Sequence, residues 1–168
     1  MEIEEVLKHR IGVLEKHLEH ETQCYNFLQR VVASILKGMK DQLGSVSTTL
    51  IMRSCMSIGK EMSEDERFVG DVIRWTPKVI GDKLVQVVSS PMEYAEVVEA
   101  SKDRVVVRKK YCRYLKIAGE CPDFCAMTSG IVKGFFEGVM GPCEVDIPKR
   151  LATGDKYCEI ILKPAGKK

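Results

Sequence analysis

The segment CAMTSGIVKGFFEGVM (125–140) is helical in character and carries a glycine at every fourth position: Gly130, Gly134 and Gly138. Inside a helix each glycine costs about 1 kcal/mol relative to alanine, so three on one face need a structural reason. The simplest reason is a close approach of this helix to a strand or to another helix, and room for a ligand is the alternative. The spacing is not that of a dinucleotide-binding loop.

Short segments rich in β-branched residues lie on both sides of this helix. Residues 94–99 and 104–111 predict one β-hairpin before it, and residues 144–151 and 157–162 predict a second one after it. The second hairpin is expected to turn at 153–155. With helices upstream, this order predicts an α+β fold. N-terminal helices are followed by an antiparallel sheet of about four strands, with a helix inserted between two hairpins.

The apolar spacing of the first half of the chain predicts a series of helices. Gly44 is expected to end one of them and Thr76-Pro77 to begin another, because glycine is favoured just after a helix and proline at its first position. The charged residues 63–67 and the region around Gly119 and Pro122 are predicted to be loops. The predicted helices cover 1–22, 25–43 and 48–62, and a fourth runs from 77 to an end marked by Pro91.

The first helix carries one narrow apolar stripe, which resembles the seam of a coiled coil. The stripe packs either on a second copy of the chain or on its own domain, and we expect a homodimer. Residues 1–22 are therefore predicted to be a helix that serves as a dimerisation arm, and residues 23–165 a single ligand-binding domain. The stripe consists of Ile3, Leu7, Ile11, Leu14 and Leu18.

Composition limits the classes of protein to which the chain can belong. The net charge of +2 over 168 residues is too small to predict binding to nucleic acid. No apolar run approaches the ~20 residues that a membrane span needs, and the acidic, amphipathic start does not resemble a signal peptide. We therefore expect a cytoplasmic protein, in which the seven cysteines are metal ligands, core residues or reactive thiols rather than disulfides.

Histidine and cysteine are the residues with the most chemical potential. All three histidines lie on the first helix, where His17 and His20 share a face with Cys24; exposed histidines are the simpler interpretation of this group, and a metal site is the alternative. Five of the seven cysteines fall in the last third of the chain, including the pair in Cys121-Pro-Asp-Phe-Cys125. Their spacing is compatible with a zinc site and equally with buried, inert thiols.

Two motifs resemble the 4-vinyl-reductase-like small-molecule-binding domain family, whose archaeal members are often called hydrocarbon-binding proteins. The first is Cys-x4-Gly-x3-Gly on the last helix, and the second is Gly-Asp-x-Tyr-Cys on the last strand. The resemblance follows the order of elements over residues 25–163. The matching positions are Cys125, Gly130, Gly134, Gly154, Asp155, Tyr157 and Cys158.

This resemblance implies a ligand-binding fold shared with nitric-oxide-sensing and Golgi-transport adaptor domains. It also implies a dimer, a small apolar molecule held between helices and sheet, and a zinc ion bound by cysteines of the motifs. The chain departs from the family at Arg150, where a second cysteine is common, and a guanidinium cannot bind zinc. The metal ligands predicted on this basis are Cys125 and Cys158, followed by Cys121 and Cys143.

The resulting functional hypothesis is a dimeric domain that binds or senses a small apolar molecule, with a structural zinc. Its ligand is expected to contact apolar side chains of the helices, although each of these could equally be core. A cysteine-dependent hydrolase using Cys121 or Cys125, or a reductase-related enzyme, is the first alternative, and a protein-interaction adaptor is the second. No catalytic residue is assigned. The predicted ligand-contacting residues are Leu50, Met52, Met56, Phe135 and Phe136.

Overall fold

A computed structural model describes residues 2–89 and 94–165, with the side chains of residues 2–4 not described. Its long helices are α1 (Glu2–Leu43), α2 (Val46–Glu64), α4 (Pro77–Val88) and α6 (Asp123–Met140). Two short helices, α3 (Glu66–Val69) and α5 (Leu115–Glu120), lie between them. The strands are β1 (Ala95–Ala100), β2 (Val105–Lys109), β3 (Cys143–Lys149) and β4 (Cys158–Pro164).

The four strands form one antiparallel sheet in the order β1-β2-β4-β3. Each predicted hairpin is present, and the two hairpins are joined side by side through β2 and β4, where Val107 pairs with Ile160. Helix α6 lies between the hairpins in the sequence, as expected. The predicted α+β fold, with N-terminal helices and an antiparallel sheet of four strands, is confirmed.

The two predicted N-terminal helices are a single helix of 42 residues. The predicted break at residues 23–24 is wrong, because no proline or glycine interrupts the helix there and the Thr22 hydroxyl donates to the carbonyl of Leu18 at 2.7 Å. The helix ends before Gly44, which adopts φ 56° as a left-handed residue after a helix requires. Among the described residues, no helix is both long enough and apolar enough to span a membrane.

Two predicted loops contain short helices instead. The backbone N–H of Arg67 donates to the Asp65 carboxylate at 2.9 Å, so Asp65 caps α3. Helix α5 occupies part of the region predicted as a loop around Gly119. By contrast, α4 begins as predicted, because the Thr76 hydroxyl accepts from the N–H of Val79 and Pro77 takes the first helical position.

The glycines of α6 allow that helix to pack directly on the backbone of α2. A Cβ atom at Gly134 would lie 2.7 Å from the Met56 carbonyl carbon, and one at Gly130 would lie 2.7 Å from the Cβ of Cys55. The approach is reciprocal, since a Cβ at Gly59 of α2 would lie 2.8 Å from the backbone nitrogen of Phe135. Close approach of the two helices is therefore a sufficient reason for the glycine spacing.

The core has two parts. The larger part lies between the sheet and the helices α4 and α6, and includes Leu84, Val107 and Phe136. The smaller part is built by α1, α2, α5 and the start of α6, and includes Leu36, Ile51 and Phe124. Helix α6 contributes to both parts, so it fixes the N-terminal helices relative to the sheet.

The connection from β3 to β4 is longer than a two-residue turn. A single 3₁₀ turn covers Leu151–Thr153, and Gly154 follows it in the left-handed region with φ 95°. The Asp155 carboxylate accepts from the backbone N–H of Arg150 at 2.7 Å and closes the loop. The predicted turn at 153–155 is present, and it holds Arg150 at a fixed place at the end of β3.

Candidate functional site

A cavity of about 240 Å³ lies at the end of the sheet where the inner strand β4 begins. The C-terminal end of α4 forms one wall and α6 forms another. The end of β2 with residues 112–114, together with β3 and β4, completes it. The lining residues are Val87, Val88, Ser89, Lys109, Cys112, Arg113, Tyr114, Cys125, Thr128, Ile131, Val132, Ile147, Arg150, Cys158 and Ile160.

Most of the cavity wall is hydrocarbon, and its arrangement follows from the strand register. Cys158 pairs with Lys109, and alternate residues of β4 face the same side, so Cys158 and Ile160 both reach the cavity. Glu159 lies between them and faces the other side, where it accepts from Arg108 at 2.7 Å. That ion pair and hydrogen bond hold the pKa of Glu159 below its usual range.

Three cationic side chains reach this apolar cavity, and no aspartate or glutamate is among the described residues that line it. Lys109 is 7% exposed, and its ammonium donates to the carbonyl of Val88 at 2.8 Å. Arg113 donates to the Tyr25 hydroxyl at 3.4 Å and stacks over the Tyr25 ring at 5.3 Å. The third is Arg150, whose Nε donates to the carbonyl of Ile147 at 3.1 Å. The cavity therefore combines apolar walls with three cationic side chains.

Three cysteines also line the cavity: Cys112, Cys125 and Cys158. Burial raises the pKa of the Cys125 thiol, and the positive charge of Arg150 opposes that shift in part. The Cys158 sulfur accepts from the backbone N–H of Leu151 at 3.3 Å. No histidine lines the cavity in the described part of the chain, so Cys125 has no imidazole base beside it. A protonated thiol is a poor nucleophile, so burial works against nucleophilic chemistry at Cys125.

The four cysteines predicted as metal ligands do not meet at one point. Cys125 and Cys158 share the cavity, and Cys121 is buried in the smaller part of the core. Cys143 pairs with Pro164, six positions along β4 from Cys158, which corresponds to about 20 Å at the rise of a strand. Burial raises the pKa of Cys143 to about 11, so it is a protonated core thiol.

The zinc ion implied by the resemblance thus has two of its predicted ligands at the cavity, fewer than the four of a structural site. Among the described residues, no group of three or more histidine, cysteine, aspartate or glutamate side chains is placed to hold a metal. The alternative metal site on the first helix comprised His17, His20 and Cys24. There the Cys24 sulfur lies on an exposed surface, 3.9 Å from the nearer His20 ring nitrogen.

None of the five predicted ligand-contacting residues lines this cavity. Phe135 and Phe136 are fully buried in the larger part of the core, where the Trp75 ring meets both edge to face at 6.3 and 6.5 Å. Met52 and Met56 lie at the crossing of α2 with α6, and Leu50 is 41% exposed. Arg150, which stands where the resemblance led us to expect a cysteine, does line the cavity.

Comparison with protein families gives a match over most of the chain. The sequence profile named methanogen output domain 1 matches residues 26–163. The chain belongs to the methanogen output domain 1 family. The matched region begins one residue after Tyr25. The Tyr25 side chain is half-buried, and Arg113 stacks on its ring. Membership of the 4-vinyl-reductase-like family, which the motifs suggested, is not confirmed.

This member of the output domain family has the fold of several solved structures. The phenol-responsive sensory domain of the transcription activator PoxR, solved with phenol, has a TM-score of 0.62 at 16% identity. The match covers 81% of this chain and 74% of that one. A trafficking protein particle complex subunit 3 from Naegleria fowleri, covalently bound to palmitic acid, has a TM-score of 0.60 at 14% identity, covering 83% and 94%.

An H-NOX protein from S. oneidensis, in the Fe(II)NO ligation state, has a TM-score of 0.55 at 11% identity, with coverage of 80% and 74%. None of the curated proteins compared with the sequence matches it significantly. At these identities the likeness establishes the fold alone. The likeness to an H-NOX protein and to a trafficking protein particle complex subunit agrees with the fold that the motifs implied.

Proposed function

We propose that this output domain binds a small, largely apolar molecule in the cavity between α4, α6 and the sheet, and acts as a sensory domain. The observation that carries the proposal is the cavity itself, lined mainly by Val, Ile and Cys side chains and open at that end of the sheet. A phenol-responsive sensory domain has the same fold, which supports the assignment of a sensory role.

The size of the cavity limits the ligand. An engineered cavity of ~150 Å³ holds one benzene molecule, so about 240 Å³ suits a single ring with one or two substituents. Such a volume is too small for a long acyl chain in its present shape. The polarizable sulfurs of Cys112, Cys125 and Cys158 are compatible with an aromatic guest, since sulfur contacts favourably with ring edges.

Filling the cavity from α6 is expected to abolish binding. Thr128 lines it and is half-buried, so the ring of Thr128→Phe would occupy the space of the ligand. Calorimetric titration with toluene as the probe should show affinity lowered by about tenfold or more, equivalent to ~1.4 kcal/mol. The far-UV circular dichroism spectrum should stay that of the parent.

The matched control is Thr49→Phe, which adds the same ring at an exposed position of α2 and should leave toluene binding intact. Binding of toluene by the Thr128→Phe variant with the affinity of the parent would show that the cavity is not the site. A parent protein that binds no single-ring probe at all would overturn the proposal.

We further propose that the N-terminal half of α1 pairs with a second copy of the chain. Residues of one helical face recur every seven positions. Val32 and Met39 are half-buried against the chain's own smaller core, and the half-buried Tyr25 ring lies 6.1 Å from the ring of Tyr114. Continuing the same repeat, Ile11 and Leu18 are 53% and 69% exposed. This face of α1 is thus buried in its C-terminal half and exposed in its N-terminal half. A coiled-coil dimer would bury the exposed half against the same helix of a second subunit.

Replacing Leu7 and Leu14 with glutamate is expected to convert the dimer to a monomer. Each leucine buried in the pair contributes roughly 1.5–3 kcal/mol, and two facing charges would repel. Light scattering at micromolar concentration measures the mass. The control, His9→Glu with Lys16→Glu, adds at least as much negative charge to the opposite face and should remain dimeric. A monomeric parent would contradict the pairing, and the stripe would then be available to a different protein.

A further inference from the structure

We propose that the ligand of this cavity is a small monocarboxylate with an apolar body of about one ring, and that the terminal nitrogens of Arg150 bind its carboxylate. This inference rests on the proposed function of the cavity. It adds the chemical class of the ligand and the residue that selects it.

The first observation is that Arg150 is held in place with its two outer nitrogens unused. Its backbone N–H donates to the Asp155 carboxylate at 2.7 Å, and its Nε donates to the carbonyl of Ile147 at 3.1 Å. Within residues 2–89 and 94–165, neither Nη1 nor Nη2 has a hydrogen-bond acceptor or an ion-pair partner. The guanidinium therefore presents a fixed pair of donors at the cavity wall, with little side-chain freedom left to lose on binding.

The second observation is the balance of charge around the cavity. Lys109, Arg113 and Arg150 line it without a lining carboxylate in the described residues. The nearest acidic residues on the neighbouring strand and loop are committed elsewhere. Glu159 pairs with Arg108 and Lys149 on the other side of β4, and Asp155 accepts from the Arg150 backbone. Apolar walls strengthen the field of the Arg150 guanidinium, so the outer nitrogens of Arg150 favour an anion over a neutral molecule of equal shape.

The third observation concerns the form of the anion. A guanidinium with two outer nitrogens free matches a planar carboxylate through two parallel hydrogen bonds. The remaining wall is formed by hydrophobic side chains such as Val88, Ile131 and Ile160, which suit a hydrocarbon body. A phosphate could meet the same guanidinium, and a phosphate ester with the same ring therefore serves as a separate arm of the test.

The experiment compares benzoate with nitrobenzene, a neutral molecule of the same shape, by calorimetric titration of the full chain. We expect the parent to prefer benzoate and to bind phenyl phosphate more weakly. In Arg150→Met the affinity for benzoate should fall by about tenfold to a hundredfold, as for a lost hydrogen-bonded charge, while that for nitrobenzene is kept. Arg150→Lys keeps the charge but loses the two parallel donors. Its affinity for benzoate should lie between those of the parent and of Arg150→Met.

The matched control is Arg74→Met, at an exposed arginine outside the cavity, which should bind benzoate as the parent does. Nitrobenzene and benzoate of equal affinity in the parent, or benzoate binding unchanged in Arg150→Met, would overturn the inference and leave the proposed function standing. Tighter binding of phenyl phosphate would replace the carboxylate with a phosphate ester. If neither nitrobenzene nor benzoate binds, the proposed function and this inference both fail.

Discussion

Replacing Gly134 with alanine is expected to lower the free energy of unfolding by about 2–3 kcal/mol, as overpacking in a well-packed interior does. The new Cβ would overlap the backbone of Met56 on α2, lying 2.7 Å from its carbonyl carbon. Backbone cannot move aside as a flexible side chain can, so the two helices must separate along their whole contact. For a chain of this size the melting temperature should fall by about 4–12 °C, measured by calorimetry.

The control for this substitution is another helical glycine that touches nothing. Gly38 lies on exposed α1, and a Cβ there would have no heavy atom within 4 Å. Gly38→Ala should therefore raise stability by up to about 1 kcal/mol, the difference in helix propensity. If the two variants melt alike, the close contact between α2 and α6 is not what the glycine at 134 serves.

Replacing Phe136 with alanine is expected to cost about 3–5 kcal/mol, the range for a fully buried aromatic ring. The side chain has no exposed surface and lies against Phe135 and Trp75. Chemical denaturation measures the loss. Leu50→Ala, at a site 41% exposed, should change stability by no more than about 0.5 kcal/mol.

A milder variant separates this structural role from ligand contact. Phe136→Leu leaves less empty space than alanine and should bind toluene with the affinity of the parent, because the ring does not line the cavity. A stable Phe136→Leu protein that has lost toluene binding would mean that the sequence-based assignment of Phe136 to the ligand site was right. In that case the site would extend from the cavity into the larger part of the core.

The fold followed from local patterns because each pattern had a local cause. The run of β-branched residues within 104–111 predicted β2, and Thr76-Pro77 predicted the start of α4. The predicted boundary inside α1 was wrong because only burial changes at residue 25. Before it the helix is largely exposed and after it the helix packs on the rest of the chain, whereas helix-forming residues continue through it. The short helices α3 and α5 were missed because neither is long enough to show an apolar period.

The candidate site was harder to predict. Cys125 and Cys158, the two cysteines of the motifs, both line the cavity. Testing whether they could share a zinc ion with Cys143 required the distance between Cys143 and Cys158, which the sequence does not give. The choice of Phe135 and Phe136 as ligand contacts stays a prediction: both lie in the larger part of the core, and hydrophobicity alone does not distinguish a core residue from a cavity wall.

The sequence by itself determined the order and type of most elements and the turn at 153–155, because these depend on neighbours along the chain. That the glycines of α6 pack on α2 was decided by the tertiary structure. Only the tertiary structure decided that Lys109, Arg113 and Arg150 reach one apolar cavity. These residues come from the end of β2, the following loop and the end of β3, and they meet because β4 lies between those two strands. Strand pairing brings together residues that are distant in sequence, and the local hydrophobic pattern does not indicate which strands become neighbours.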